Sequence, residues 1–161
     1  MNSTADEIIE KLNLCPLPLE GGFFNEIYRS SVMIKPGECC GTSIYYLLRG
    51  NGISGWHMLS KDEIWYYHAG IPAVQMLLFA DGTCEERLIG HDVMNGHSPQ
   101  SVIPAGTWQS ARLSCTDESG WGLFGAAVFP GFEYKDYHSS DAGKLCLLFP
   151  ASAALIRKFS R

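Results

Sequence analysis

Two side chains in this sequence combine chemistry and spacing suited to proton transfer, His57 and Glu63. A histidine changes its charge near neutral pH and is a natural general base, and a carboxylate beside it could orient the ring. A tyrosine could supply a proton from the opposite side, with Tyr67 as the first candidate and Tyr45 and Tyr134 as others. Such a layout suits epimerisation at a carbon next to a carbonyl group. The alternative is that His57 is a hydrogen-bonded pocket residue without a catalytic role.

Strands are the elements that must position these residues. Successive side chains of a strand point to opposite faces, so Glu63, Trp65 and Tyr67 share one face. His57 joins that face if the register continues around the intervening turn. Runs of β-branched and aromatic residues predict strands, and Asp81-Gly82 predicts a hairpin turn. The predicted strands cover residues 43–48, 63–67, 73–79, 84–89, 100–103, 108–115 and 121–129.

Short helices are predicted at both ends of the chain. A capping-box pattern from Thr4 to Glu7 precedes a predicted helix over residues 5–12. A second helix is predicted over residues 150–159, with Pro150 near its first turn. Many short strands separated by Gly and Pro turns indicate an all-β sandwich or barrel. Because no linker interrupts the pattern, we predict one domain over residues 1–161.

The overall composition argues against several classes of protein. The 161 residues are 46% hydrophobic and 18% charged, with a formal net charge of −5 and no basic stripe for nucleic acid. No apolar run approaches the roughly 18–20 residues that span a bilayer, and the N-terminus is not typical of a secretory signal. Without such a signal the six cysteines favour reduced thiols, and the lack of Cys-x-x-Cys spacing argues against a zinc site. We predict a cytoplasmic protein, with the nucleus as an alternative, and no nucleic-acid polymer or membrane as partner.

Two segments of the chain carry a family resemblance. Five residues separate His57 from Glu63, six separate Glu63 from Gly70, and the string PAGTWQ follows at 104–109. This pair of segments resembles the two signatures of the cupin β-barrel family. The blocks EGGFFNEIYRSS at 20–31, GHSPQSVIPAGTWQSA at 96–111 and FPGFEYKDY at 129–137 narrow the match. They look like a small cupin family known as a domain of unknown function.

The resemblance implies a cupin double-stranded β-helix, which is a jelly-roll barrel, with short N- and C-terminal helices. It also implies a homodimer, often formed by exchange of N-terminal strands, and a shape like that of the sugar-nucleotide epimerase cupins. Leu59 and Gln109 stand where the cupin signatures have histidines. His57, Glu63 and the weak amide oxygen of Gln109 would then be the ligands of any divalent metal. No cofactor is therefore expected, and a divalent metal is the alternative.

Further residues in these blocks are candidates for binding a small-molecule ligand. The amides offer polar recognition groups. The arginine could bind a carboxylate or phosphate, or could form a structural salt bridge. The aromatic residues could stack on a planar ligand, although such residues more often belong to the core. The candidate ligand-binding residues are Arg29, Trp65, Gln100, Trp108, Gln109 and Phe132.

Three hypotheses of function are compatible with these residues. The leading one is a metal-independent enzyme or binder of small molecules, with epimerase- or isomerase-like chemistry on a sugar nucleotide or a related carbonyl compound. In it His57 is the base, Glu63 is its partner or a ligand anchor, and Tyr67 is a candidate acid. The second is a metal-dependent cupin oxygenase or isomerase. The third is a non-catalytic ligand-binding module.

Overall fold

The N-terminal segment folds as its sequence predicts. The computed structural model describes residues 4–160. Helix α1 covers Ala5–Lys11. The Thr4 hydroxyl accepts a hydrogen bond from the Glu7 amide, and the Glu7 carboxylate accepts one from the Thr4 amide at 2.7 Å. This capping box confirms the predicted helix, which ends one residue earlier than expected.

The chain between residues 15 and 139 folds into β-strands and turns. The strands are β1 Cys15–Pro16, β2 Phe23–Arg29, β3 Met33–Lys35, β4 Glu38–Cys39, β5 Thr42–Arg49, β6 Ile53–Leu59, β7 Asp62–Gly70, β8 Ala73–Leu78, β9 Cys84–Ile89, β10 Gln100–Ile103, β11 Trp108–Leu113, β12 Trp121–Phe129 and β13 Tyr137–Ser139. One sheet has the order β1-β2-β5-β12-β7-β10, and the other has the order β13-β6-β11-β8-β9. β3 and β4 form a separate hairpin.

Two apolar layers hold these elements together. The first lies between the two sheets and contains the fully buried rings of Trp65 and Phe124. The second contains Trp56 and packs the five-stranded sheet against the C-terminal helices, α2 Ala142–Leu148 and α3 Ala153–Lys158. Each fully buried large side chain contributes roughly 1.5–3 kcal/mol of hydrophobic free energy. The first layer therefore fills one end of the barrel and leaves space for a site at the other.

The strand that carries His57 is absent from the sequence-based prediction. β6 follows Gly52 and contains Gly55, and glycine is depleted in strands, so the local pattern indicates a turn. The strand forms because β11 and β13 pair with it on its two sides. Its alternation directs Trp56 toward the helices and His57 toward the interior. As predicted, His57 faces the same interior as Glu63.

The C-terminal helices differ from the prediction. Residues 150–152 form a 3₁₀ turn, so the helix expected at 150–159 is reduced to α3. Helix α2 is not predicted, because Gly143 and the exposed Leu147 and Leu148 obscure its amphipathic pattern. Asp141 caps it by accepting a hydrogen bond from the Lys144 amide at 2.9 Å. None of the helices within residues 4–160 is long and apolar enough to cross a membrane.

Gly70 ends β7 in a conformation that suits glycine. Its φ angle is +87°, in the left-handed region that other residues rarely adopt. A Cβ atom at this position would also meet the ring of Trp121 at 2.7 Å. The last residue of the first signature is therefore required for the turn and not for chemistry.

Candidate functional site

A cavity of about 150 Å³ lies between the sheets, bordered by the loop before β2 and the segment after β12. Its walls are largely apolar, and few polar groups converge on it, which is typical of a small-molecule site. The apolar wall includes Leu17, Phe24, Ile44, Leu59, Val128, Phe132 and Tyr137. The charged or titratable wall residues are Glu20, Glu26, Arg29, His57, Glu63 and Glu133. Acidic groups thus outnumber basic groups around the cavity.

His57 is buried on β6 with one ring nitrogen fixed. Nδ1 lies 2.8 Å from the carbonyl oxygen of Gly55. A carbonyl only accepts hydrogen bonds, so Nδ1 carries the proton and donates it. Nε2 then holds the lone pair of the neutral ring and lies 3.8 Å from a carboxylate oxygen of Glu20. The ring of Tyr137 stacks on the imidazole at a centroid distance of 5.4 Å and holds its plane.

Glu63 is buried on β7 and has an altered acidity. Its Oε2 atom accepts a hydrogen bond from Gln109 Nε2 at 2.5 Å. Burial disfavours the charged carboxylate and raises its pKa from 4.5 to about 7. The positive charge of His57, when the ring is protonated, and the hydrogen bond from Gln109 lower the pKa, whereas the charge of Glu20 raises it. The carboxyl group therefore exchanges its proton near neutral pH.

Glu20 is a site residue that sequence reasoning missed. It lies in the loop before β2, and its carbonyl oxygen accepts a hydrogen bond from the Gly55 amide at 2.7 Å. Ser54 donates its hydroxyl to Glu20 Oε1 at 2.8 Å, which leaves Oε2 near His57. The available signal was a carboxylate directly before the pair Gly21-Gly22. The sequence alone did not indicate that this loop contacts β6.

Arg29 lies at the rim of the cavity and its guanidinium is fully engaged. It makes two bonds of 2.9 Å to Glu26, one of 2.9 Å to Glu133 and one of 3.0 Å to the Phe132 carbonyl. A further contact of 3.7 Å reaches the sulfur of Cys39. The bond to Glu26 raises the pKa of Arg29 further above its usual value. These contacts use all five N–H donors of an arginine, so the structural salt bridge is favoured over anion binding.

Tyr67 is not brought to the cavity, which corrects the prediction of its role as the acid. Its hydroxyl donates to the Gly70 carbonyl at 2.7 Å, and its ring packs against Phe124 and His91. Strand residues rise by about 3.3 Å each, so Tyr67 lies roughly 13 Å along β7 from Glu63. The alternation of side chains along a strand predicts which face of the sheet a residue occupies. It does not predict how far along the barrel axis the residue lies from the site.

The other aromatic candidates divide between cavity and core. Phe132 lines the cavity, as do Tyr137 and the exposed Tyr134. Trp65 is 2% exposed and belongs to the core between the sheets. Trp108 faces away from the cavity and packs in the layer beneath the C-terminal helices. Among the described residues, the cavity wall includes neither tryptophan, so both predicted stacking roles are corrected.

The amide candidates are also separated. Gln109 is buried and reaches the site through its hydrogen bond to Glu63. Gln100 is exposed at the start of β10, beside Glu86 and Arg87, and away from the cavity. Gln100 therefore cannot contact a ligand in the cavity, which corrects its predicted binding role.

A family model matches residues 6–140, and its description is Cupin superfamily (DUF985). The chain belongs to this cupin family. A solved structure, protein SO0799 from Shewanella oneidensis, is 32% identical, with 99% of each chain covered and a TM-score of 0.92. A hypothetical protein from Leishmania major is 29% identical, with 98% of this chain and 99% of that chain covered and a TM-score of 0.89. The predicted cupin barrel with short terminal helices is therefore confirmed.

The relatives extend to yeast. The uncharacterized protein YML079W of Saccharomyces cerevisiae is 26% identical over 133 residues, which cover 73% of this chain. The matched part spans 66% of the length of the yeast protein. These likenesses support the fold of this cupin, and its chemistry must be argued from the cavity.

The residues of this cupin do not fit a divalent metal, although cupins often bind one. The amide nitrogen of Gln109 faces Glu63, and its oxygen faces Gln75 Nε2 at 3.5 Å, so the oxygen is turned away from the cavity. Leu59 supplies no donor atom. Within residues 4–160 no group of three His, Cys, Asp or Glu side chains is arranged to hold a metal ion. His57, Glu63 and Glu20 are donor side chains at the cavity, and they are not arranged around one point as the ligands of such an ion are.

Proposed function

We propose that the barrel of this cupin binds a small carbonyl compound and transfers a proton at the carbon beside the carbonyl. His57 is the base and Glu63 is the acid. One observation carries the proposal: a histidine with its lone pair fixed at Nε2 shares a small, largely apolar cavity with a carboxyl group of pKa about 7. A ring nitrogen free to accept a proton, placed in the same cavity as a carboxyl group able to give one, is what such chemistry requires.

In the proposed reaction each group has one task. Nε2 of His57 removes the proton from the carbon, and the carboxylate of Glu20, 3.8 Å away, stabilises the resulting positive charge. Protonated Glu63 donates to the carbonyl oxygen as negative charge develops there. Return of the proton from His57 to the same carbon after exchange with water gives solvent exchange at that carbon. Return of the proton to the former carbonyl carbon of a hydroxycarbonyl compound completes an isomerisation, in which Glu63 takes up a proton from the hydroxyl group that becomes the new carbonyl.

The cavity also narrows the class of ligand. A volume of about 150 Å³ suits a molecule the size of one ring. Four carboxylates, from Glu20, Glu26, Glu63 and Glu133, face or border the cavity, and Arg29 has its donors engaged. These charges disfavour the diphosphate of a sugar nucleotide. Of the two predicted substrate classes, the site therefore favours a small uncharged carbonyl compound.

Solvent exchange tests this function without a known product. Small ketones and hydroxyketones are incubated with the protein in deuterated water, and incorporation of deuterium beside the carbonyl is followed by NMR. We expect exchange with the wild type and a rate roughly 10²–10⁴-fold lower in His57→Ala. His138→Ala is the matched control, because His138 is exposed on β13 and bonds Ser60. Equal exchange rates in wild type and His57→Ala would overturn the assignment of the base.

A ligand carried through purification gives a second readout. Native mass spectrometry of the wild type and Glu63→Gln would reveal a bound organic molecule. A bound molecule together with no catalysed exchange would favour the non-catalytic binding module over the proposed enzyme. A stoichiometric metal found by elemental analysis of the same sample would favour the metal-dependent alternative.

We also propose that the protein forms a homodimer through the β2–β3 region. Ile27 and Tyr28 on β2, and Val32, Met33 and Ile34 beyond it, are all about half exposed or more. β1 pairs only with Phe23 and Phe24, so in the described chain the rest of β2 has an open edge. Exposed apolar edges of this kind favour pairing with another chain. Light scattering should give twice the chain mass, and Ile27→Lys should lower it.

The cytoplasmic location stays a prediction. All six cysteines are free in the structure. The prediction of one domain over residues 1–161 is also untested, and its first three residues and its last lie outside the described part of the chain.

A further inference from the structure

A line of hydrogen bonds runs from the protein surface to the carboxylate in the cavity. Arg87 Nη1 donates to Ser101 Oγ at 2.9 Å, and Ser101 donates to Gln75 Oε1 at 2.6 Å. Gln75 Nε2 donates to Gln109 Oε1 at 3.5 Å, which is the longest link. Gln109 Nε2 donates to Glu63 Oε2 at 2.5 Å. We call these five residues the polar chain, and it crosses between the two sheets.

The two ends of the polar chain fix the direction of every bond in it. A guanidinium only donates and an ionised carboxylate only accepts. Ser101, which receives a proton from Arg87, is therefore free to donate onward. Each amide must then accept on its oxygen and donate from its nitrogen. If Gln109 turned over, it would present its oxygen to Glu63 and lose the match with Gln75.

The burial of the polar chain is difficult to explain by packing alone. Gln75 is 0% exposed, Gln109 1% and Ser101 2%. Buried polar groups lower stability unless each is satisfied, and apolar residues of the same shape serve a core equally well. A single direction of donation also strengthens successive hydrogen bonds. Every hydrogen bond of the polar chain therefore donates in the direction of Glu63, which faces the cavity.

We infer that Ser101, Gln75 and Arg87 are positioning residues that act through Gln109 to hold the ionised form and the orientation of the Glu63 carboxylate. This inference rests on the proposed function only in naming Glu63 as the acid. The other groups that face Glu63 are His57 from β6, Glu20 from the loop before β2 and Trp65 from its own strand. Tyr137 from β13 lies against His57. All of these stay in place when the outer links of the polar chain are removed.

The test compares two buried serines. Ser101→Ala breaks the polar chain, whereas Ser110→Ala removes a hydroxyl that is 1% exposed and bonds the carbonyls of Ser54 and Phe159. The titration of Glu63 is measured by NMR on protein with carboxyl-labelled glutamate, with Glu63→Gln to assign the signal. We expect Ser101→Ala to raise the pKa of Glu63 by roughly 0.5–1 and Ser110→Ala to leave it unchanged.

Further variants separate positioning from a structural effect. Arg87→Met should shift the titration in the same direction as Ser101→Ala, and Ser101→Thr, which keeps the hydroxyl, should restore the wild-type value. The same Glu63 midpoint in Ser101→Ala and Ser110→Ala would overturn the inference. The titration needs no substrate, so the two proposals fail separately. If Ser101→Ala shifts the midpoint but no carbonyl compound undergoes catalysed exchange, the proposed function is wrong and the positioning role of the polar chain is supported.

Discussion

Two buried charged residues lie two positions apart in the chain and have opposite surroundings. Lys61 is 7% exposed, and its ammonium group lies 2.8 Å from Asp136 and 3.6 Å from Glu38. It also donates to the Gly131 carbonyl at 2.6 Å. Glu63 is equally buried at 7%, but no Lys or Arg is paired with it among the described residues. Amide, indole and imidazole groups accompany its carboxylate instead.

The difference separates a structural charge from a chemical one. Lys61 joins the turn after β6 to the segment that follows β12, and its charge is fully compensated. Glu63 is left with a pKa near 7 because its burial outweighs the groups that stabilise its charge. Buried groups with strongly shifted acidity occur preferentially at functional sites. The comparison therefore assigns chemistry to Glu63 and stability to Lys61.

The largest expected effect is on turnover. Glu63→Gln removes the acidic proton but keeps the shape, so we expect catalysed deuterium exchange to fall by roughly 10²–10⁴-fold. The measurement is the same NMR exchange assay with the most active carbonyl compound. Lys61→Met is the matched variant, and its folded fraction should retain the wild-type rate. A wild-type rate in Glu63→Gln would remove the carboxyl group from the mechanism.

The next largest effect is expected on the free energy of unfolding when Lys61 is replaced. Lys61→Met removes the cation beside the half-buried carboxylate of Asp136 and the donor to the Gly131 carbonyl, whereas Glu38 keeps its ion pair with Lys35 at 3.2 Å. Because the remaining carboxylate is only half-buried, we expect a loss at the lower end of the range for buried pairs, about 3 kcal/mol in the free energy of unfolding. Urea denaturation at pH 7 checks the value. A loss below about 1 kcal/mol, the range of exposed pairs, would show that Lys61 is not a structural clamp.

Glu63→Gln should have the opposite effect on stability. The folded pKa of about 7 lies above the ordinary value of 4.5, so the native state keeps a proton that the unfolded state has lost between these pH values. This group therefore lowers stability progressively from pH 4.5 to 7, by about 3 kcal/mol when complete. Glu63→Gln has no group that titrates at this position. Its free energy of unfolding should therefore exceed that of the wild type by an amount that grows from pH 4.5 to 7 and stays constant above pH 7. Urea denaturation at pH 4.5, 6 and 8 measures the difference, and an advantage independent of pH would contradict the assignment.

The smallest effect is expected at the rim of the cavity. Arg29 is paired with Glu26 and Glu133, but its side chain is 40% exposed. Arg29→Met should therefore lower the free energy of unfolding by less than about 1 kcal/mol and leave affinity for an uncharged ligand nearly unchanged. Titration calorimetry with the ligand found in the exchange screen measures that affinity. A loss of tenfold or more would make Arg29 a binding residue after all.

Local patterns in the sequence predicted the walls of this barrel well. The bounds of β9, β10 and β12 are those expected, and His57 and Glu63 share the interior as alternation requires. These features depend on neighbouring residues, and so does the capping box of α1. The register of a strand is therefore readable from the sequence around it.

The rest of the site depends on contacts that the local pattern does not contain. Glu20 and Tyr137 reach His57 from opposite ends of the chain. The links from Gln75 to Ser101 and to Gln109 join three strands, and each of these residues alone looks like an ordinary polar residue. The distance between two residues along the barrel axis is equally absent from the alternation pattern, so the sequence groups Tyr67 with His57 although the two lie far apart.

The most direct test of the comparison is the titration of Glu63 in the wild-type protein. Carbon-detected NMR on carboxyl-labelled glutamate, with the signal assigned by its loss in Glu63→Gln, gives the midpoint without any substrate. We predict a midpoint near 7, displaced from 4.5 because the carboxyl group is buried without a cation. A midpoint near 4.5 would mean that the carboxylate is stably charged in the cavity, and would contradict its role as the acid.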